Sequence, residues 1–420
     1  MATDPPARPR RVAVIGAGAA GAMAAIFAAT HGAETLLLER TADGGKKILI
    51  SGGGRCNILP ARLDERRFVT DSSPHSLRKI VRSWPLAEQI EFFERELGLR
   101  LVEETESGKL FPSSNRARDV RDGLLSLAAA RGVRFLPHTL VTDLVPDAAG
   151  WSVRREREAP IEAGAVIIAT GGLSVPKTGS DGIGLSILER LGHTVHPTYA
   201  ALTPVTAEGS PYAALAGVSL PVTITARSAA RESTASGGFL FTHQGYSGPS
   251  VLDVSHVVVR SRAEHDDRAR LQVRWTPLGE GEWARALQAD GTRSVGAVIR
   301  RELPDRLADA LIAASGLEPA TRLAQLRRED RTRLVEMLIR GELPWSGDEG
   351  YRKAEVTGGG ISLAEVDPRT MESRRNAGLY ICGEVLDAFG PIGGYNFLWA
   401  WATGRAAGIA AALAPPSPIL

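Results

Sequence analysis

The run Arg11–Gly21, RVAVIGAGAAG, constrains this chain more than any other segment. RVAVI is an unbroken apolar stretch that reads as a buried strand, and AMAAIFAATHG after it has helical character and a stop at Gly32. TLLLE then reads as a second strand, so the opening is a βαβ unit. In the turn, Gly16 permits the tight reversal, Gly18 lets a pyrophosphate approach the backbone, and Gly21 lets helix and sheet pack closely. The helix that begins at Ala19 and Ala20 offers unpaired N–H groups and partial positive charge to the phosphates. Glu39 falls at the end of the second strand, where a carboxylate accepts hydrogen bonds from an adenosine ribose and repels a 2′-phosphate. The spacing therefore predicts a dinucleotide site that disfavours NADP.

The C-terminal third decides which dinucleotide. An NAD domain is normally self-contained, whereas here a distant strand, GLYICGE, with VLDAFGPIGGYN and a helix, YNFLWAWATGRAAGIAAALA, closes the same sheet. Something longer is held, and FAD fits. Glu384 at the strand end is placed for the ribityl hydroxyls. The Gly393–Gly394 turn opens the last helix with N–H groups that stabilise charge on a reduced flavin.

Between these ends, PLAEQIEFFERELG and RARDVRDGLLSLAAARG read as helices, and AGAVIIATGG as a central parallel strand. From about His193 the texture becomes alternating and turn-rich (VSLPVTITA, GGFLFTH, ARLQVRW), which predicts an antiparallel β-rich unit. A charge-dense helical stretch, 283–340, interrupts it. The expected organisation is a discontinuous Rossmann-like α/β domain (1–192 and 356–420), an inserted antiparallel β domain (193–282 and 341–355), and a small helical subdomain (283–340). The segments MATDPPARPR and PPSPIL are expected to be disordered.

Several blocks carry a resemblance: KKILISGGGRCN, GGLSVPKTG, GGFLFTHQGYSGPSVLDVS, VTGGGISLAEVDPRTMES and GLYICGEVLDAFGPIGGYNFLWAWATG. In this order they resemble the YhiN-like flavoproteins, the BaiN/RdsA-type family of FAD-dependent oxidoreductases, some of whose members are named aminoacetone oxidase. The resemblance implies FAD, and with the motifs above it gives the expected cofactor set. On the N-terminal side this is Gly16, Gly18, Ala19, Ala20, Gly21, Glu39, Arg40, Lys46, Lys47, Ser51, Gly52, Gly53, Gly54, Arg55, Cys56 and Asn57. Farther on it is Val141, Ala169, Thr170, Gly171, Gly383, Glu384, Asp387, Gly393, Gly394, Tyr395, Asn396 and Phe397. Within it, Arg55 and Asn57 are expected to bring donors to the flavin side. The chain departs from the family at Ile58-Leu59, where Thr-Asn is usual, in the short loop TGSDGIG, and near Phe397-Leu398, where a glutamine is usual.

Flavin chemistry asks little of side chains beyond placing the substrate and tuning charge. His243, in FTHQGYSG, is the candidate proton donor or base, and Tyr246 in the same loop and Lys177 in VPKTGS are comparable candidates. Cys56 and Cys382 are the only cysteines, lack a Cys-x-x-Cys spacing, and read as small buried residues. No histidine, cysteine or carboxylate cluster has metal-ligand spacing, so no metal is expected. The formal charge of +2 suggests neither a nucleic-acid nor a membrane partner, and a cytoplasmic location is expected. The expected partners are a small organic substrate and either NAD(P)H or oxygen. The readings left open are a reductase that passes hydride from NAD(P)H to an enone or ketone, an amine oxidase of the aminoacetone type, and, more remotely, a flavin-bearing RNA-interacting protein that uses the arginine-rich helices.

Overall fold

The computed structural model describes residues 9–147, 150–263, 268–289 and 292–414. Arg10 is held in place by bonds to the Gly164 and Ala414 carbonyls. Apart from Pro9 and Arg10, the two terminal segments expected to be disordered lie outside the described residues. The chain forms two compact units, one from residues 1–198 and 356–420 and one from 199–355.

The first unit is organised by a five-stranded sheet that alternates with helices. Arg11–Ile15 lies at its centre, parallel to Glu34–Leu38 on one side and to Ala165–Ile168 on the other. Arg134–Leu136 extends one edge and Leu379–Ile381 the other, both parallel to their neighbours. Beyond the exposed first residues Arg11, Glu34 and Arg134 these strands are largely apolar because both faces are covered, and residues such as Val12, Val14, Leu37 and Ile167 have no exposed surface. Helices Ala19–Thr30 and Tyr395–Leu413 lie against each other and are buried on most sides. Their closeness rests on Gly404 and Gly408, where a Cβ would stand 2.4 and 2.3 Å from the carbonyl oxygens of Ala20 and Ala24. A side chain at either position would force the helices apart.

The second unit is built on a seven-stranded sheet whose long hairpin, Ser219–Arg227 with Glu232–Phe241, is antiparallel. Period-two burial along Ser219–Arg227 places Val222, Ile224 and Ala226 inward. Sequence texture predicts only strands here, yet Pro249–Ala263 is a helix packed on that hairpin. Its valines mimic strand composition, but Val251, Val254 and Val258 recur at helical spacing and are buried. The helices Asp305–Ala314 and Arg328–Arg340 share one hydrophobic core with the sheet, Leu307, Leu311 and Leu338 joining Phe239 and Trp275.

Candidate functional site

At the carboxyl edge of the parallel sheet the glycine turn takes the form its spacing predicts. Gly16 has φ +101°, and a Cβ there would meet the Ala169 carbonyl oxygen at 2.6 Å. At Gly21 a Cβ would lie 1.8 Å from the Gly16 carbonyl oxygen, so the helix can start here only with glycine. Gly18 differs: its conformation is ordinary and a Cβ would meet nothing within 4 Å. The backbone at Gly18 therefore faces open space, with the N–H groups of Ala19, Ala20 and Gly21 at a helix start that no side chain caps. Glu39 is buried beside this turn, where Oε2 accepts from the Ala17 N–H (2.9 Å) and Oε1 from the Thr41 N–H (2.9 Å) and hydroxyl (2.8 Å). Arg40 points away, pairing with Asp181 and the Gly179 carbonyl.

The run that begins at Lys46 is brought to the same place by its own glycines. The Gly45 N–H bonds to the Ala17 carbonyl (2.8 Å), and Gly44 is packed against Ala17 so tightly that a Cβ would lie 2.9 Å away. Lys46 is half-exposed. Lys47 and Glu384, expected as separate cofactor contacts, form an ion pair at 2.6 Å. Ser174 joins them, its hydroxyl 2.7 Å from Lys47 Nζ and 2.6 Å from Glu384 Oε1, and the Thr357 N–H donates to the same oxygen (3.0 Å). Next to Ser174, Val175 sits at φ +48°, a conformation that a β-branched residue adopts at a cost of roughly 1–3 kcal/mol. Gly52, Gly53 and Gly54 all have positive φ and are exposed, with Ser51 bonded to the Ile48 carbonyl at their head.

Two residues of this run have partners that the sequence does not announce. The Arg55 guanidinium is bound to Glu104 (2.9 Å) and lies 4.1 Å above the Phe111 ring. Asn57 is buried, and its amide accepts from the Gly394 N–H (3.0 Å) and donates to the Leu59 carbonyl (3.2 Å). Gly394 thus spends its N–H on Asn57 rather than exposing it, and a Cβ there would lie 2.3 Å from Leu59. The first-turn N–H groups of Tyr395, Asn396 and Phe397 remain without helical acceptors. Their side chains have other tasks: the Tyr395 hydroxyl bonds to Arg62 and Asp64, Asn396 clasps Gly390, and Phe397 stacks on Trp401.

Gly383, at φ +81°, touches the start of helix Ala19–Thr30. Its N–H bonds to Thr403 and its carbonyl to Trp399. Ala169 is buried under Gly16, and Thr170 and Gly171 continue from it at the sheet edge, Gly171 with φ +73°. Val141 is a buried residue of an antiparallel three-stranded sheet, Val141–Asp147 with Gly150–Arg155 and Glu158–Ala163. Asp387 is buried too, with the Thr70 and Ser72 hydroxyls and the Asp71 and Ser72 N–H groups all directed at Oδ2 (2.8–3.0 Å). Burial pushes its carboxyl above the usual range, against the bonds from Ser72 and Thr70. Beside it is His196, Nε2 3.8 Å from Oδ2 and 3.4 Å from the Ser72 hydroxyl. Neither His196 nor Ser72 stands out in the sequence, because residues 72, 196 and 387 meet only in the folded chain.

In the second unit, His243 is exposed in the turn Thr242–Gly245, and Tyr246 is buried with its hydroxyl 3.1 Å from Ser210. Burial pushes that phenol up to about 12. Lys177 is exposed, in the first unit. Both cysteines are buried free thiols, and burial pushes Cys56 up to about 12 and Cys382 upward as well. Among the described residues no group of three or more histidine, cysteine or acidic side chains is placed to hold a metal, and no helix is long and apolar enough to cross a membrane.

The family model described as "HI0933-like protein Rossmann domain" matches residues 10–410. The chain belongs to the HI0933-like family. It is 33% identical to an Escherichia coli protein named ribosomal RNA dihydrouridine synthase, over 93% of this chain and 95% of that one. It is 32% identical to a 3-dehydro-bile acid delta(4,6)-reductase of Clostridium scindens, over 96% of this chain and 100% of the relative. In fold it is similar to the 3-ketosteroid delta1-dehydrogenase of Sterolibacterium denitrificans, with a TM-score of 0.52 and 12% identity across 96% of this chain and 99% of that one. This HI0933-like protein is an FAD-dependent oxidoreductase. Its residues fit the cofactor: the space over Gly18 is one that a Cβ would fill, and the Glu39 carboxylate is held beside the same turn.

Proposed function

We propose that this protein reduces a carbon–carbon double bond conjugated to a carbonyl, with NAD(P)H as the source of hydride. The observation that carries the reading is the near full-length likeness to the bile-acid delta(4,6)-reductase and the dihydrouridine synthase. Dihydrouridine is uridine saturated at the ring double bond next to its C4 carbonyl, and a 3-oxo steroid with unsaturation at C4 is an enone. One chemistry covers both names. Bound FAD supplies the hydride relay between reductant and substrate.

The chain's own residues do the holding. The first-turn N–H groups after Gly18 face the pyrophosphate, Glu39 takes the ribose hydroxyls, and the N–H groups that open helix Tyr395–Leu413 offer partial positive charge to the ring. The sequence carries no second GxGxxG turn in 199–355, so nicotinamide is expected to reach the site from solvent. A free small enone is preferred to uridine in RNA. Acidic residues interleave with the arginines of the helical stretch, and Arg300, Arg333 and Arg340 are paired with Asp309, Asp330 and Glu336.

The test is anaerobic: the purified yellow protein is mixed with NADH or NADPH and then with 4-androstene-3,17-dione, 2-cyclohexenone, uridine or a uridine-containing RNA. Bleaching by a nicotinamide and recolouring by an enone are expected. Oxygen uptake with amines, without bleaching by NAD(P)H, would replace this reading with an oxidase.

A further inference from the structure

The cluster around Asp387 contains more than a cofactor contact needs. Four donor groups converge on Oδ2 of a side chain that is only 2% exposed. His196 is arranged in the complementary way. Its Nε2 faces inward to the Ser72 hydroxyl and the carboxylate, and its Nδ1 has no partner among the described residues on a ring that is 26% exposed.

The hydrogen bonds fix a direction. The Ser72 hydroxyl donates to Asp387 Oδ2 (2.8 Å) and accepts from the Leu363 N–H (3.0 Å), so toward His196 it is again an acceptor. Nε2 therefore carries a hydrogen, and Nδ1 is the outward atom that gains or loses the proton. An imidazole whose inner nitrogen is oriented toward a buried carboxylate and whose outer nitrogen is free is the arrangement used to hold and release a proton. Asp387 stands four residues beyond Gly383 and three beyond Glu384, just past the turn that follows the edge strand Leu379–Ile381. The other carboxylates on the segments that carry it are Asp71 and Glu384, the second neutralised by Lys47.

We propose that His196, oriented by Ser72 and Asp387, is the proton donor of this site. The inference rests on the reduction proposed above. In that reaction the π bond of the conjugated alkene breaks. The carbon distal to the carbonyl receives hydride, with both electrons, originating from NAD(P)H. The carbon next to the carbonyl receives the proton from His196 Nδ1, leaving a neutral imidazole that solvent reprotonates.

The experiment uses the flavin-loaded protein reduced anaerobically, by NADPH in one arm and by dithionite in the other, and follows recolouring by 4-androstene-3,17-dione, 2-cyclohexenone or uridine. His196→Gln is expected to slow recolouring on the order of a hundredfold or more relative to wild type. In His196→Ala, added imidazole should restore part of the loss, which a merely structural residue would not permit. A readout independent of turnover is modification by diethyl pyrocarbonate with peptide mapping, in which the enone should protect His196. Recolouring of His196→Gln at the wild-type rate, absence of imidazole rescue, or equal modification with and without enone would each overturn the assignment. Wild type that recolours with none of the three probes removes the proposed reduction, and this assignment with it. Recolouring after dithionite but no bleaching by NAD(P)H removes only the reductant.

Discussion

Gly18 and Gly21 separate the fold from the ligand, because the same methyl group has opposite surroundings at the two positions. In Gly18→Ala the new Cβ meets no protein atom within 4 Å and the backbone is in a region any residue adopts, so the flavin-free protein loses only the small difference between glycine and alanine at a helix start, about 1 kcal/mol or less. The methyl instead occupies the space offered to the pyrophosphate. Losing two charge-assisted hydrogen bonds at roughly 1.5–3 kcal/mol each predicts about 3–6 kcal/mol, a rise in the FAD dissociation constant of about a hundredfold to ten-thousandfold. In Gly21→Ala the Cβ would stand 1.8 Å from the Gly16 carbonyl oxygen, so turn and helix must separate by more than 1 Å to reach even a tight contact. Overpacking of this kind costs about 1–3 kcal/mol or more in the protein itself, and the melting temperature falls even without flavin. The assay is paired: flavin fluorescence quenching for affinity, and calorimetry of the flavin-free proteins for stability. Wild-type FAD affinity in Gly18→Ala would refute the placement of the pyrophosphate over this turn.

Other outcomes follow from the same geometry. Gly408→Val should prevent the two buried helices from closing, since its Cβ would lie 2.3 Å from the Ala24 carbonyl oxygen, and it is checked by soluble yield and thermal melting. Burial pushes Glu365 upward, but bonds from Arg375 and Thr194 outweigh it and hold the carboxyl at about 2. A depressed carboxyl stabilises the fold above its unfolded value and loses that contribution as pH falls. Stability should therefore decline from about pH 4.5 toward pH 2, and Glu365→Gln should flatten that decline in acid denaturation curves. Because burial raises both thiols, Cys56 and Cys382 should resist iodoacetamide at pH 8 in the native protein and react after denaturation, as mass spectrometry will read. Conversion of Lys47 to Met should leave Glu384 half-buried without its cation and weaken flavin retention, measured as flavin per chain after gel filtration.

What the sequence made legible was local. The turn at Gly16–Gly21, the carboxylate at Glu39 and the strand that ends at Gly383 are each written in one short segment whose period and glycines have a single good interpretation. What was not legible shares a different cause. Arg55 is turned aside by Glu104 and Phe111, and Asn57 by Gly394, partners dozens to hundreds of residues away whose approach no periodicity announces. The helix Pro249–Ala263 was hidden because tertiary packing overrode the strand preference of its valines. His196 was invisible for the same reason as Ser72: each is an ordinary polar residue until the fold sets it beside Asp387.

The order of strands in the parallel sheet also has a consequence for synthesis. The edge strand Leu379–Ile381 and the helix Tyr395–Leu413, which lies on the first helix, are translated only after the whole of residues 199–355. The nucleotide turn therefore emerges from the ribosome early but waits, with its hydrophobic partner missing, while the inserted unit is made and folds on its own core. Flavin capture belongs to the end of translation, and a nascent chain arrested before Gly383 should bind none.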